Sequence, residues 1–383
     1  MSSGLEQYLL RAIAAENPST GAGPSAARGA LAGLATLYDG GLELYLGAER
    51  FGIRKRARLP VPVISIGNLT VGGTGKTPMT AYLADRLTVA GKRIAILSRG
   101  HGGESHSVRH VSDGDGQVLL SAAQAGDEPT LLAAMCPTAP VLVGKDRRLS
   151  GREALRCWAL DALVLDDGFQ FWQLERDLDI VLLDAKCPFD NGYPLPRGLL
   201  REPKRHLSRA GMIVATRADR INSDARQILV AEAVRLNPSA PLFFASHAPS
   251  SWVRVGGDSS ETRPLETLRG VEVVAVSAIA QPESFRQTLL AAGVEIAAFL
   301  VHDDHHPFTA EDVRVVEAEL SSSGAAAIVM TEKDAVKWSA VTSANSTPAY
   351  ALRIAMAVEE EARFMEEIER RVFRAAPNVQ ISA

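Results

Sequence analysis

Val63-Ile-Ser-Ile-Gly-Asn-Leu-Thr-Val-Gly-Gly-Thr-Gly-Lys-Thr77 is the stretch that decides the fold. Its first residues form an apolar run of strand length, the glycines punctuate it as a tight turn, and a helical pattern starts at Thr77. Strand, glycine turn and helix in that order make a phosphate-binding loop. Gly72, Gly73 and Gly75 let the backbone curl, so that N–H groups around Thr74 converge on phosphate oxygens, and the helix N-terminus adds its positive dipole end. Lys76 reaches toward β- and γ-phosphates, and the Thr77 hydroxyl ligates Mg²⁺. Thr70 stands where the strict pattern has glycine, and Val71 where a deviant branch of these ATPases carries lysine. The alternative is a glycine turn with an incidental lysine.

Outward from this turn, short apolar runs alternate with amphipathic helices. Strands are predicted at 61–66, 93–97, 141–143, 162–165, 180–183 and 212–215, and helices at 77–90, 146–158 and 224–236. This grammar predicts an α/β fold with a mostly parallel sheet covered by helices on both faces. A second, smaller α/β series follows, with strands at 271–276, 296–300 and 326–330 and helices at 282–292 and 310–321. The resulting division is a flexible leader at 1–27, a helical segment at 28–58, a P-loop core at 59–245 and a second α/β domain at 246–349. Residues 350–383 form a strand and a helix, about 359–373, returning to the core. No repeat suggests a solenoid.

Composition narrows the class. A chain of 383 residues with 46% hydrophobic and 22% charged content sustains more than one core. A net charge of −4 gives no sign of a nucleic-acid partner. Cys136, Cys157 and Cys187 are odd in number and lack CxxC spacing, which argues against a disulfide scaffold or thiolate zinc site and fits a reducing cytosol. The start has no signal-peptide pattern, and no apolar run reaches the length of a membrane span. Residues 28–48 carry an apolar surface that includes Leu31, Leu34, Leu37 and Leu44, with Gly40-Gly41 as a potential kink. Arg50, Arg54, Lys55, Arg56 and Arg58 follow. The pair reads either as a device for adsorbing to an anionic leaflet or as a helix packed on its own domain beside a solvated basic turn.

Leu163-Val-Leu-Asp-Asp-Gly-Phe-Gln170 puts Asp166 and Asp167 at a strand's C-terminal end, where ligands of open α/β sheets gather. Adjacent carboxylates suit a Mg²⁺ site; turn capping is the alternative. Gly126-Asp127-Glu128-Pro129 offers either a proton acceptor for a sugar hydroxyl or a helix cap at Asp127. His302-Asp-Asp-His-His-Pro307 offers a histidine to aid such a proton transfer, a transition-metal site, or a polar loop before a helix capped by Thr309. Arg99, directly after a strand, and Arg201, in a Pro/Gly-rich loop, are the best-placed phosphate contacts. Asn68 joins them as a candidate substrate contact.

In order, Ile66-Gly-Asn-Leu-Thr-Val-Gly-Gly-Thr-Gly-Lys-Thr-Pro78, Leu97-Ser-Arg-Gly100, Gly126-Asp-Glu-Pro129, Asp166-Asp-Gly-Phe-Gln170, Arg176-Asp-Leu-Asp-Ile180, Asn191-Gly192, Leu200-Arg-Glu-Pro203, Asp304-His-His-Pro-Phe308 and Thr331-Glu-Lys-Asp334 resemble the tetraacyldisaccharide 4′-kinase family of lipid A biosynthesis over about residues 45–340. The resemblance implies ATP- and Mg²⁺-dependent phosphorylation of the 4′-hydroxyl of an acylated glucosamine disaccharide 1-phosphate. It implies two α/β domains joined by a two-strand linker, near 243–245 and 350–354, with the active site between them. It also implies a peripheral protein on the cytoplasmic face of a Gram-negative inner membrane, touching an anionic surface through its N-terminal helix, with no obligatory protein partner. By motif, Lys76 and Thr77 take the nucleotide and metal roles, Asp166 and Asp167 the metal side, and Asp127 with His305 a catalytic dyad. His101 and Phe171 depart from the family pattern. The competing readings are a membrane-associated P-loop regulatory NTPase switch and a metal-dependent phosphoesterase built on Asp304-His305-His306.

Overall fold

The computed structural model describes residues 25–50, 55–100, 107–256, 262–304, 306–342 and 348–374, without the side chains of 25–28 and 49–50. His305, His101, Arg54, the Arg50 side chain and most of the leader therefore lie outside the described residues. The described residues begin with one continuous helix, Ser25–Arg50, so Gly40-Gly41 does not divide it. Then come β1 (Val63–Asn68), the helix Lys76–Val89, β2 (Ile94–Ser98), β3 (Arg109–Asp113), the helices Ala122–Ala125 and Asp127–Met135, β4 (Pro140–Val143), the helix Arg147–Cys157 and β5 (Ala162–Asp166). β6 (Leu178–Asp184), β7 (Met212–Thr216), the helix Ser223–Leu236, β8 (Leu242–Arg254) and β9 (Thr262–Arg263) follow. The last series is β10 (Glu272–Ser277), the helix Pro282–Ala291, β11 (Glu295–Val301), the helix Ala310–Ser323, β12 (Ala327–Thr331), the helix Glu332–Trp338, β13 (Ala349–Val358) and the helix Glu361–Ile368. The predicted final helix at 359–373 is α-helical only to Ile368, and Glu369–Phe373 continues it as a π-helical turn.

The chain folds into two compact units. One holds Met1–Lys76, Asp167–Ser246 and Val358–Ala383, and the other Thr77–Asp166 and His247–Ala357. In the first, β6 pairs in parallel with β1 and β7, and β7 with the start of β8. The register sets Asn68 opposite Leu182 and Asp184 opposite Thr216, so polar residues collect at one sheet edge. Beneath it Phe169, Leu183, Ile213 and Leu229 belong to one buried cluster. Phe364 of the closing helix meets Phe243 edge-on at 5.2 Å.

In the second unit β2 lies between β5 and β4, all parallel, and β3 runs antiparallel along β4. β10 lies between β11 and β12, and β12 pairs with β13, again all parallel. The apolar runs of β10 and β12 are buried, as strands covered on both faces require. The architecture is mostly parallel α/β, as the sequence predicts.

Gly67 is fixed by a close approach. A Cβ there would lie 2.5 Å from Phe169 Cβ and 2.9 Å from the Phe169 backbone nitrogen, while the Gly168 N–H donates to the Ile66 carbonyl at 2.9 Å. We predict that Gly67→Ala lowers stability by about 1–3 kcal/mol through overpacking, read as a lower urea midpoint with an unchanged slope. An unchanged midpoint would contradict this packing.

Candidate active site

The glycine turn is held from both ends within the first unit. Asn68, the buried last residue of β1, donates from Nδ2 to Thr74 Oγ1 at 2.9 Å, and its Oδ1 lies 3.4 Å from Lys76 Nζ. The Thr74 carbonyl accepts from Thr216 Oγ1 at 3.0 Å, and the Gly73 carbonyl from the Arg217 guanidinium at 2.7 Å. Arg217 is itself paired with Asp184. The Val71 N–H donates to Leu199 at 2.7 Å. Gly72 (φ 110°) and Gly75 (φ 86°) occupy the left-handed region that favours glycine; Gly73 does not share it. With these carbonyls engaged from behind, the turn has the form of an anion-binding nest closed by a helix start. Arg217, Thr216 and Asp184 had no distinguishing signal in the sequence beyond their place after apolar strands.

The neighbouring carboxylates Asp166 and Asp167 have different surroundings. Asp166 ends β5, is buried, and accepts from Thr80 Oγ1 at 3.0 Å and Ser98 Oγ at 3.5 Å within the second unit. Asp167 (φ 50°) belongs to the first unit, pairs with Arg201 at 2.8 Å and lies 3.9 Å from Lys76 Nζ. Arg201 is thus placed on an acid of the site, and it also donates to Gln170 at 3.3 Å. Arg99 follows β2 and is exposed, and Thr77 is the second residue of its helix and half-buried. Hydroxyl and carboxylate oxygens are the donors a hard cation takes. Asp166, whose hydroxyl neighbours hold its carboxylate at a strand end, and Thr77 therefore fit Mg²⁺ in donor chemistry.

Asp127 is the first residue of the helix Asp127–Met135; the cap position belongs to Gly126 (φ 96°), so Asp127 is not the cap. Its Oδ2 lies 3.6 Å from Lys337 Nζ, which is also 3.9 Å from Asp334 Oδ1. Asp334 is fully buried and accepts from Thr331 Oγ1 at 2.7 Å and the Ala278 N–H at 3.1 Å. Burial pushes its pKa up, against these hydrogen bonds and the nearby lysines. Sequence reasoning missed Lys337. The available signal was its i,i+3 spacing from Asp334 on the helix Glu332–Trp338.

The histidine-rich loop is built as a capped helix entry. Thr309 and Asp312 form a reciprocal capping box, and His306 Nε2 lies 3.1 Å from Asp312 Oδ2. His302 stacks on His306 at 4.6 Å; burial and that neighbour lower its pKa. Ligand atoms of His302, His306 and Asp312 lie within 4.8 Å of one another, a donor set that includes Asp312 in place of the Asp303 and Asp304 of the sequence motif. His305 lies outside the described residues.

The helix over residues 28–48 packs along one face and leaves another exposed. Leu31, Ala35, Leu42 and Leu46 are buried. Tyr38 Oη donates to the Arg201 carbonyl at 2.8 Å, and Glu43 pairs with Arg205 at 2.7 Å and His206 at 2.8 Å. His206 in turn contacts the fully buried Glu202 at 2.8 Å. Leu37 and Leu44, on another face, are 73% and 79% exposed. Lys55 and Arg56 are exposed, and Arg58 pairs with Glu175. Among the described residues no helix is long and apolar enough to cross a membrane.

Comparison with known proteins identifies the family. The family described as Tetraacyldisaccharide-1-P 4′-kinase matches residues 27–372. A tetraacyldisaccharide 4′-kinase of Anaeromyxobacter dehalogenans (strain 2CP-C) is 47% identical over 286 residues, 75% of each chain. One from Syntrophus aciditrophicus is 42% identical, covering 81% of this chain and 84% of its own. The crystal structure of LpxK from Aquifex aeolicus in complex with ATP superposes with a TM-score of 0.73 at 30% identity, over 90% of this chain and 99% of that one. The chain belongs to the tetraacyldisaccharide-1-P 4′-kinase family.

Proposed function

We propose that the protein transfers the γ-phosphoryl of ATP to the 4′-hydroxyl of a tetraacylated glucosamine disaccharide 1-phosphate. The observation that carries this reading is the glycine turn of a family kinase, pinned by Asn68, Thr216 and Arg217 with Lys76 at its mouth. Lys76 moves from its contacts with Asn68 and the Gly72 carbonyl to the transferring phosphoryl. The N–H groups of the turn orient the phosphates. Thr77 with Asp166 and Asp167 would hold Mg²⁺, which when bound neutralises charge on the phosphate oxygens. Arg201, with Arg99 and Asn68, steadies phosphates. Asp127 takes the hydroxyl proton. His305 joins it on the sequence motif alone. Lys337 lies 3.6 Å from the Asp127 carboxylate.

Transfer of label from ATP to a disaccharide-1-phosphate lipid tests the reading. Lys76→Ala should lose at least about 10²-fold in kcat, and Asp127→Ala about 10²–10⁴-fold. Release of free phosphate with no labelled lipid would support the regulatory switch instead, and near-normal turnover by Asp127→Ala would remove it as the base.

The protein is also proposed to bind the cytoplasmic face of an anionic inner membrane as a peripheral protein. The exposed leucines of a helix otherwise anchored by Tyr38 and Glu43 support this, as do Lys55 and Arg56. Replacing Leu37 and Leu44 together with Asp should cut sedimentation with anionic vesicles about tenfold or more. Undiminished co-sedimentation would contradict the assignment.

A further inference from the structure

A further set of ligating side chains gathers where β3 meets the helix Arg147–Cys157, within the second unit. His110 comes from β3, and Glu153 and Cys157 stand one turn apart on the same face of the helix. One ligand atom of each lies within 4.8 Å of the others. Glu153 Oε1 is 3.6 Å from His110 Nε2 and 3.6 Å from Cys157 Sγ. Those spacings match the edges of a tetrahedron around zinc, whose bonds of about 2.0–2.3 Å set neighbouring ligands about 3.3–3.8 Å apart. The imidazole is held from two sides. Asp113 Oδ1 lies 2.8 Å from Nδ1, and Trp158 packs against the ring with centroids 5.1 Å apart. A carboxylate at Nδ1 keeps the ring proton there and turns the Nε2 lone pair toward Glu153. A lone pair facing a carboxylate at 3.6 Å gains no hydrogen bond, whereas a cation between them satisfies both.

We propose that His110, Glu153 and Cys157 bind Zn²⁺, with Asp113 orienting the histidine and water in the fourth position. The mixed nitrogen, oxygen and sulfur set suits a borderline-soft divalent ion rather than Mg²⁺ or Ca²⁺. It contains a single thiolate, so the lack of a CxxC pair does not speak against it. On binding, Cys157 releases to solvent the thiol proton that it otherwise directs at Glu153. The Arg156 guanidinium, 2.7 Å from the same Oε1, yields that oxygen to the ion. Arg156 is exposed, and such surface pairs contribute little. The ion fastens β3, an antiparallel strand beside β4, to the end of the helix, so its binding stabilises this unit. None of these residues takes part in the proposed phosphoryl transfer, so the two readings fail separately.

The test titrates full-length, reduced, metal-free protein with Co²⁺ as a spectroscopic stand-in, and then with Zn²⁺. The wild type gains the visible bands of a tetrahedral ion together with a near-ultraviolet thiolate-to-metal band, and Zn²⁺ removes both. Cys157→Ser loses the thiolate band and weakens Zn²⁺ binding about 100-fold or more, while Asp113→Asn keeps the band and weakens binding about 10–100-fold. Zn²⁺ raises the melting temperature of the wild type and not that of Cys157→Ser. Melts without metal establish that each variant is folded. Absence of a thiolate band in the wild type overturns the site, and so does an unchanged band and affinity in folded Cys157→Ser. Metal bound without a thiolate band lies elsewhere, as at His302, His306 and Asp312, and equally overturns it.

Discussion

Phosphate binding in this protein depends on a backbone that curls because two residues lack side chains and three neighbours hold it there. Gly72 and Gly75 sit in left-handed conformations, and Asn68, Thr216 and Arg217 tie the intervening turn to the ends of β1 and β7. Fixed N–H dipoles attract an anion without reorganising when it arrives, which is how preorganised donors favour charge transfer. One step earlier in the chain, Gly67 lets Phe169 approach closely enough to set Asp167-Gly168 beside the end of β1.

Each unit holds its own charge network. In the first unit, Lys76 and Arg201 share Asp167, so two cations are kept near one acid. In the second, Lys337 stands between Asp127 and the buried Asp334. The two acids differ in setting: Asp334 is enclosed and costly to ionise, whereas Asp127 lies on a cavity wall. A lysine shared with an enclosed acid is held in place for the accessible one. The same economy anchors the N-terminal helix, where Glu202 and Glu43 both contact His206 and the outer leucines stay uncovered.

The sequence made most of this legible where local physics governs. Buried parallel strands read as apolar runs, and the glycine turn with Lys76-Thr77 read as a phosphate loop. β3 was missed because Arg109-His-Val-Ser-Asp113 is polar and only partly buried, as an antiparallel strand beside one neighbour can be. Lys337 was missed because its contact with Asp127 joins residues far apart in sequence. Nothing in the Asp166-Asp167 dipeptide announced that one acid would face Thr80 and Ser98 and the other Arg201; the left-handed backbone at Asp167 accompanies that split. The helical residues 28–48 were read correctly as apolar, but only packing separates Leu31 and Leu42 from Leu37 and Leu44.

The central claim is that the turn from Val71 to Thr77 wraps a triphosphate, and calorimetric titration of the full-length protein with ATP and Mg²⁺ tests it most directly. The account predicts saturable one-to-one binding by the wild type. It also predicts loss of binding in Gly75→Val, which closes the left-handed conformation while the melting curve stays cooperative. Absence of binding by the wild type, or equal affinity in the folded variant, would contradict it.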